Sequence, residues 1–188
     1  ERASEIDGYF EQIKTLYPKN VYASKEVDIA EVLGGLLVEN NLTIGTIESC
    51  TAGAIAKDIV AVQGASAYFY GGFVVYTDEL KNEIVDVTLE SLKEHGAVSE
   101  SVVEQMAKNG RIKLGVDISI AVSGIAGPTG GSDEKPVGTV WIGISTNYTT
   151  FAKRFQFGDN RERNIKMTIL TALNLARCEI LENLIEKK

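Results

Sequence analysis

The sequence predicts an α/β protein, a three-layer α/β/α sandwich around a mixed sheet that ends in an antiparallel hairpin. Three observations carry this. Short apolar, β-rich runs alternate with stretches of helical periodicity through the first two thirds of the chain. Helix-start residues Thr77, Thr88 and Ser99 stand directly ahead of three of those stretches. Near the end, residues 137–146 and 151–157 form two neighbouring β-rich runs joined by a polar turn around Asn147.

Taken in order, residues 1–25 read as a linker or the tail of a preceding domain. An amphipathic stretch through Ile6, Phe10, Ile13 and Leu16 leads into a turn at Tyr17-Pro18-Lys19-Asn20. The start at Glu1 rather than Met fits an excised piece of something longer. Residues 26–188 form the main unit. Val27, Ala30, Leu33, Leu36 and Leu37 recur at helical spacing up to Asn40-Asn41, and residues 42–47 follow as a strand. Residues 51–62 are expected to be helical, which makes Glu48-Ser49-Cys50 a strand-to-helix turn. Residues 67–76 are a strand, and acids at Asp78 and Glu79 open the next helix, where they suit its dipole. Residues 117–122 form a strand that ends in a glycine-rich loop from Ser123 to Gly131. A last helix spans about residues 161–184.

Composition sets outer limits. With 44% apolar and 24% charged residues over 188 positions, the chain has the makeup of one ordinary globular domain. A net charge of -7 disfavours nucleic acid as a partner, because phosphate-backbone binders cluster Lys and Arg on one face. A small phosphorylated ligand needs only one or two placed cations. Cys50 and Cys178 lie too far apart in context to imply a disulfide framework, which fits a cytoplasmic location. No apolar run approaches the roughly 20 residues that span a bilayer, so no membrane association is expected.

Only one histidine, His95, is present, at a predicted helix end where the dipole favours it. Its scarcity argues against serine–histidine or cysteine–histidine chemistry and against a zinc site, so no metal ligands are assigned. Lys and Tyr remain as activators for a Ser or Cys nucleophile. With Thr77 as N-cap, Tyr76 and Lys81 occupy the two positions of a hydrophobic staple and are expected to touch. The plain reading is a lysine stem covering a tyrosine ring. The chemical reading makes Lys81 a base for Ser49, with burial and a nearby cation such as Arg163 lowering its pKa. Free N–H groups of the helix after Ser49 would then stabilise an oxyanion. Cys50 is the rival nucleophile. The glycine loop matches neither the dinucleotide fingerprint nor the P-loop. Arg161 and Arg163 open the last helix against its dipole, which favours a role such as gripping a phosphate.

Five ordered segments resemble the C-terminal domain of the competence/damage-inducible CinA family over about residues 27–184. They are Thr43-Ile44-Gly45-Thr46-Ile47-Glu48-Ser49-Cys50-Thr51-Ala52-Gly53, the run from Ala67 through Tyr76 to Lys81, His95-Gly96-Ala97-Val98-Ser99, Ser123-Gly124-Ile125-Ala126-Gly127-Pro128, and Glu134-Lys135-Pro136-Val137-Gly138-Thr139-Val140-Trp141. The resemblance implies a homodimeric amidase that converts nicotinamide mononucleotide to nicotinic acid mononucleotide and ammonia without a cofactor. It places the catalytic roles on Ser49, Tyr76 and Lys81, and substrate binding on Ser123 and Arg163. Arg161 alternates with Arg163 for the phosphate, and Thr51 and Gly127 complete the expected substrate-binding set. Two departures stand out: Ala52-Gly53 replaces the usual double glycine, and Gly158-Asp159-Asn160-Arg161 replaces Gly-Asp-Arg. An N-terminal domain is expected in the full-length chain. The alternative is a catalytically weak accessory domain for dimerisation or partner binding in a competence or DNA-damage protein.

Overall fold

The middle layer of the computed structural model, which describes residues 2–185, is a five-stranded mixed sheet. Its strands are β1 (Ile44–Glu48), β2 (Phe69–Val74), β3 (Ile118–Gly124), β4 (Thr139–Ser145) and β5 (Thr150–Gln156), in the order β2-β1-β3-β4-β5. β2, β1 and β3 run parallel, with Glu48 level with both Val74 and Val122. β4 and β5 form the expected antiparallel hairpin, with Ile142 opposite Lys153, and β4 adds antiparallel to β3. The parallel strands are joined by helical crossovers, as that direction requires.

Helices α2 (Ile29–Asn40), α3 (Ala54–Val60) and α7 (Arg161–Glu179) cover one face. Their core includes Leu33, Leu37, Ile55, Ile118, Ile120, Ile142, Ile144 and Leu173. Helices α4 (Asp78–Val85), α5 (Leu89–His95) and α6 (Glu100–Leu114) cover the other around Ile47, Val85, Val102, Val103, Met106 and Ala121. The near-continuous apolar reading of the central strands follows from burial on both faces. α6 crosses the sheet so closely that a Cβ at Gly110 would collide with Ile47, and one at Gly143 would meet the Val103 carbonyl at 3.1 Å.

The helix starts match the chemistry that predicted them. Thr77, Thr88 and Ser99 are the N-caps of α4, α5 and α6, their hydroxyls accepting from Leu80, Ser91 and Val102 N–H. Asn41 ends α2 in the left-handed conformation. Three expectations shift. α3 begins at Ala54 rather than Thr51, because Ala52 and Gly53 adopt φ of 53° and 93°. β2 begins at Phe69, since residues 65–67 form a single 3₁₀ turn. α7 gives way at Ile180 to a π-helical turn. Residues 2–16 form a 15-residue helix, α1, whose Ile6, Tyr9, Ile13 and Leu16 stay exposed.

Candidate active site

Parallel strands deliver their loops to one edge of a sheet, and ligands bind outside that carboxyl edge. Here the edge carries the turn after β1, the loop after β3 and the start of α4. Together with the start of α7 they enclose a cavity of about 350 Å³ lined by Ser49, Cys50, Tyr76, Asp78, Lys81, Ser123, Gly127 and Arg161. Wider hollows lie elsewhere, near Tyr22 and near Trp141, but neither is lined by a serine together with a buried lysine.

The turn after β1 is built by Glu48. Strand alternation sends this side chain to the α3 side of the sheet, where it is fully buried. Its Oε2 accepts the Thr51 hydroxyl at 2.7 Å, Gly53 N–H at 2.9 Å and Ile55 N–H at 3.1 Å, and Oε1 accepts Ala56 N–H at 2.8 Å. A carboxylate at a helix N-terminus satisfies its orphan donors and its dipole together. This corrects two expectations. The α3 N–H groups are not available to an oxyanion, because Glu48 occupies them. Thr51 does not line the cavity, because its hydroxyl is committed to Glu48. Ala126 and Gly127 line the cavity, and their N–H groups have no backbone acceptor among the described residues.

Ser49 sits on this turn with 7% exposure, its N–H bonded to the Val122 carbonyl at 3.1 Å. Ser123, at the end of β3, is buried as well. Neither hydroxyl has a hydrogen-bond partner among the described residues. Cys50 is a poor rival, since burial pushes its thiol up to about 12 and removes the thiolate at neutral pH.

Lys81 is 1% exposed. Its Nζ donates to the Tyr76 carbonyl at 3.2 Å and the Thr77 carbonyl at 3.4 Å, and stands 3.6 Å from Asp78 Oδ1. Burial holds its pKa below the ordinary lysine range, while the Asp78 carboxylate pulls the other way. Tyr76 and Lys81 therefore meet, but through the Tyr76 backbone. The tyrosine side chain is 58% exposed at the cavity mouth, so the lysine stem is not covering its ring.

Arg161, not Arg163, reaches the cavity, where its Nη1 donates to the Gly127 carbonyl at 3.0 Å. Arg163 is held at its backbone by Asn160 Oδ1, which caps α7 at 2.9 Å, and it is exposed away from the cavity lining. The extra residue Asn160 takes the capping position, which leaves Arg161 to open the helix beside the loop. Asn164 ties the loop down further, its Nδ2 donating to the carbonyls of Ala126 and Gly158 at 3.0 Å each. His95 ends α5, outside the cavity. Glu48, Asp78 and Asn164 received no role in the site from the sequence. The one signal for Glu48 was an acid closing an apolar strand just ahead of a helix.

The fold and this site define an α/β/α domain whose serine-bearing strand-to-helix turn shares a cavity with a buried lysine. The model of the CinA C-terminal domain matches residues 26–180, and the chain belongs to that family. A CinA-like protein of Cytophaga hutchinsonii is 41% identical over 179 residues, which cover 95% of this chain and 43% of that protein. One from Parasynechococcus marenigrum is 39% identical with the same two coverages. The chain thus spans less than half the length of these relatives. Among solved structures, a CinA superfamily protein from Klebsiella pneumoniae aligns with a TM-score of 0.79 at 31% identity, covering 81% of this chain and 96% of its own. A competence/damage inducible protein from Agrobacterium tumefaciens aligns at 0.76 and 33% identity, covering 83% and 98%. Among the described residues, no helix is long and apolar enough to cross a membrane.

Proposed function

We propose that this domain hydrolyses the carboxamide of nicotinamide mononucleotide, giving nicotinic acid mononucleotide and ammonia, with Ser49 as nucleophile and Lys81 as base. The observation that carries the reading is the burial of an unpartnered serine hydroxyl and a lysine of lowered pKa on one cavity. A lysine serves as a general base only when neutral, and burial favours that neutral form.

In this mechanism Ser49 Oγ attacks the carboxamide carbon while Lys81 Nζ takes the serine proton. The charge that develops on the amide oxygen is met by N–H groups of the loop at Ala126 and Gly127. Lys81 then passes the proton to the amide nitrogen, the C–N bond breaks and ammonia leaves. Water attacks the acyl-serine, giving its proton to Lys81, which returns it to Ser49 Oγ as the acid departs. Arg161 offers its guanidinium to the phosphate at the loop, Ser123 hydrogen-bonds the substrate, and Tyr76 closes the mouth of the cavity. No metal or cofactor takes part. We place the protein in the cytoplasm as a homodimer, within a longer chain that carries an N-terminal domain.

Ammonia release from nicotinamide mononucleotide in the presence of EDTA, compared with Ser49→Ala and Lys81→Ala, tests the reading. Turnover that survives EDTA and vanishes in both variants supports it. A folded but inactive wild type overturns it in favour of an accessory binding domain.

A further inference from the structure

We propose that Asp78 is a positioning residue for the base: its carboxylate holds Lys81 in the ammonium form and sets the pH range in which the site becomes competent. The proposal rests on the reading of Lys81 as proton acceptor. An ammonium has three N–H donors, and three acceptors surround this one: the Tyr76 carbonyl, the Thr77 carbonyl and Asp78 Oδ1. The two carbonyls belong to the turn that starts α4 and can still accept from a neutral amine, which keeps two N–H groups. The third position is different. Asp78 carries a full negative charge, which stabilises an ammonium far more than a neutral amine. Among the three partners, only Asp78 carries a net charge, so it discriminates most strongly between the charged and neutral forms.

The surroundings leave Asp78 as the main polar influence on Lys81. Burial is the largest influence and acts against the charge, while Cys50 from the turn after β1 and Glu79 from its own helix act more weakly than Asp78. Arg161 and Tyr76 complete the ionisable lining beside Lys81, while the segment between α5 and α6 contributes only Ala97 and Val98. The Asp78 side chain is 55% exposed, against 2% for that of Lys81, so it can swing to solvent once the amine is neutral.

The test is the pH profile of kcat/KM beside a direct titration of the Lys81 ε-carbon by NMR, in wild type, Asp78→Asn, Asp78→Glu and Glu79→Gln. Removing an opposite charge at this range moves a titration by about one pH unit, so Asp78→Asn should shift the acidic limb down and raise the rate about tenfold below it. Asp78→Glu should keep the limb near wild type. Glu79→Gln removes the same charge one residue away, without contact to the ammonium, and should move it far less. A Lys81 titration that stays put in Asp78→Asn, or moves as far in Glu79→Gln, overturns the proposal. The NMR titration needs no substrate. A chain that hydrolyses no amide would therefore sink the amidase reading while the titration still decides the role of Asp78.

Discussion

Oε2 of Glu48 accepts the Thr51 hydroxyl at 2.7 Å, closing the turn that carries Ser49 between them. The same carboxylate caps α3 through three backbone N–H groups, so the helix and the Ser49 turn share one anchor. Glu48→Ala strands those donors in a buried site. At about 1–3 kcal/mol for each unsatisfied group, partly offset by entering water, we expect a loss of about 3–5 kcal/mol in urea unfolding. Glu48→Gln keeps the shape but turns an amide N–H₂ toward donors, and should fall between the two. A stability change under 1 kcal/mol for Glu48→Ala would show that the cap is not what holds the turn.

Ala52 adopts φ of 53° two residues after Ser49's neighbour Cys50. A left-handed alanine is strained by about 1–2 kcal/mol, and glycine removes that strain at an entropic cost in the unfolded chain of about 0.4–1 kcal/mol. Ala52→Gly is therefore expected to stabilise the protein by about 0.5–1 kcal/mol in thermal or urea melts. Destabilisation would mean that the alanine methyl makes compensating contacts.

Lys81 links stability to pH. Its folded pKa is lowered by burial, with Asp78 opposing. The unfolded chain therefore binds the extra proton more readily, and stability rises as pH climbs from the lowered folded pKa toward the unfolded lysine value. Lys81→Met keeps the volume and removes the titration. The stability of wild type relative to Lys81→Met should increase with pH across that alkaline window, measured by urea melts from neutral pH upward. A constant difference would mean that the lysine is not desolvated.

Arg161 lines the cavity and Arg163 does not, so the proposed phosphate role can be tested on the pair. A hydrogen bond to a charged group contributes about 1.5–3 kcal/mol, so Arg161→Ala should raise KM for nicotinamide mononucleotide about 10- to 100-fold with a smaller effect on kcat. Arg163→Ala should change KM less than twofold. Steady-state kinetics on both variants decides it, and the reverse ranking would return the phosphate to Arg163.

Much of this architecture was legible because its signals are local. Thr77, Thr88 and Ser99 mark helix starts through contacts made within three residues, and the hairpin of β4 and β5 is set by a short turn between two β-rich runs. Residue type and the family motifs also pointed to Ser49, Tyr76, Lys81 and Ser123, which the fold brings to one cavity. Their roles in the site were less so. Whether Tyr76 meets Lys81 by its ring or its carbonyl is decided by which side chain the sheet edge buries, and the sequence does not carry that.

By itself, then, the sequence determined the layered α/β class, the helix starts, the late hairpin and the short set of residues able to do chemistry. These follow from periodicity, capping and side-chain type, all of which act over a few positions. Only the tertiary structure decided which arginine reaches the cavity, that Glu48 occupies the α3 N–H groups and commits Thr51, and that Asp78 completes the ring of acceptors around Lys81. The first depends on how separate segments meet at the carboxyl edge of one sheet, and the other two are contacts within eight residues that are selected by what that edge buries. There burial and direction, rather than residue type, fix what a side chain can touch.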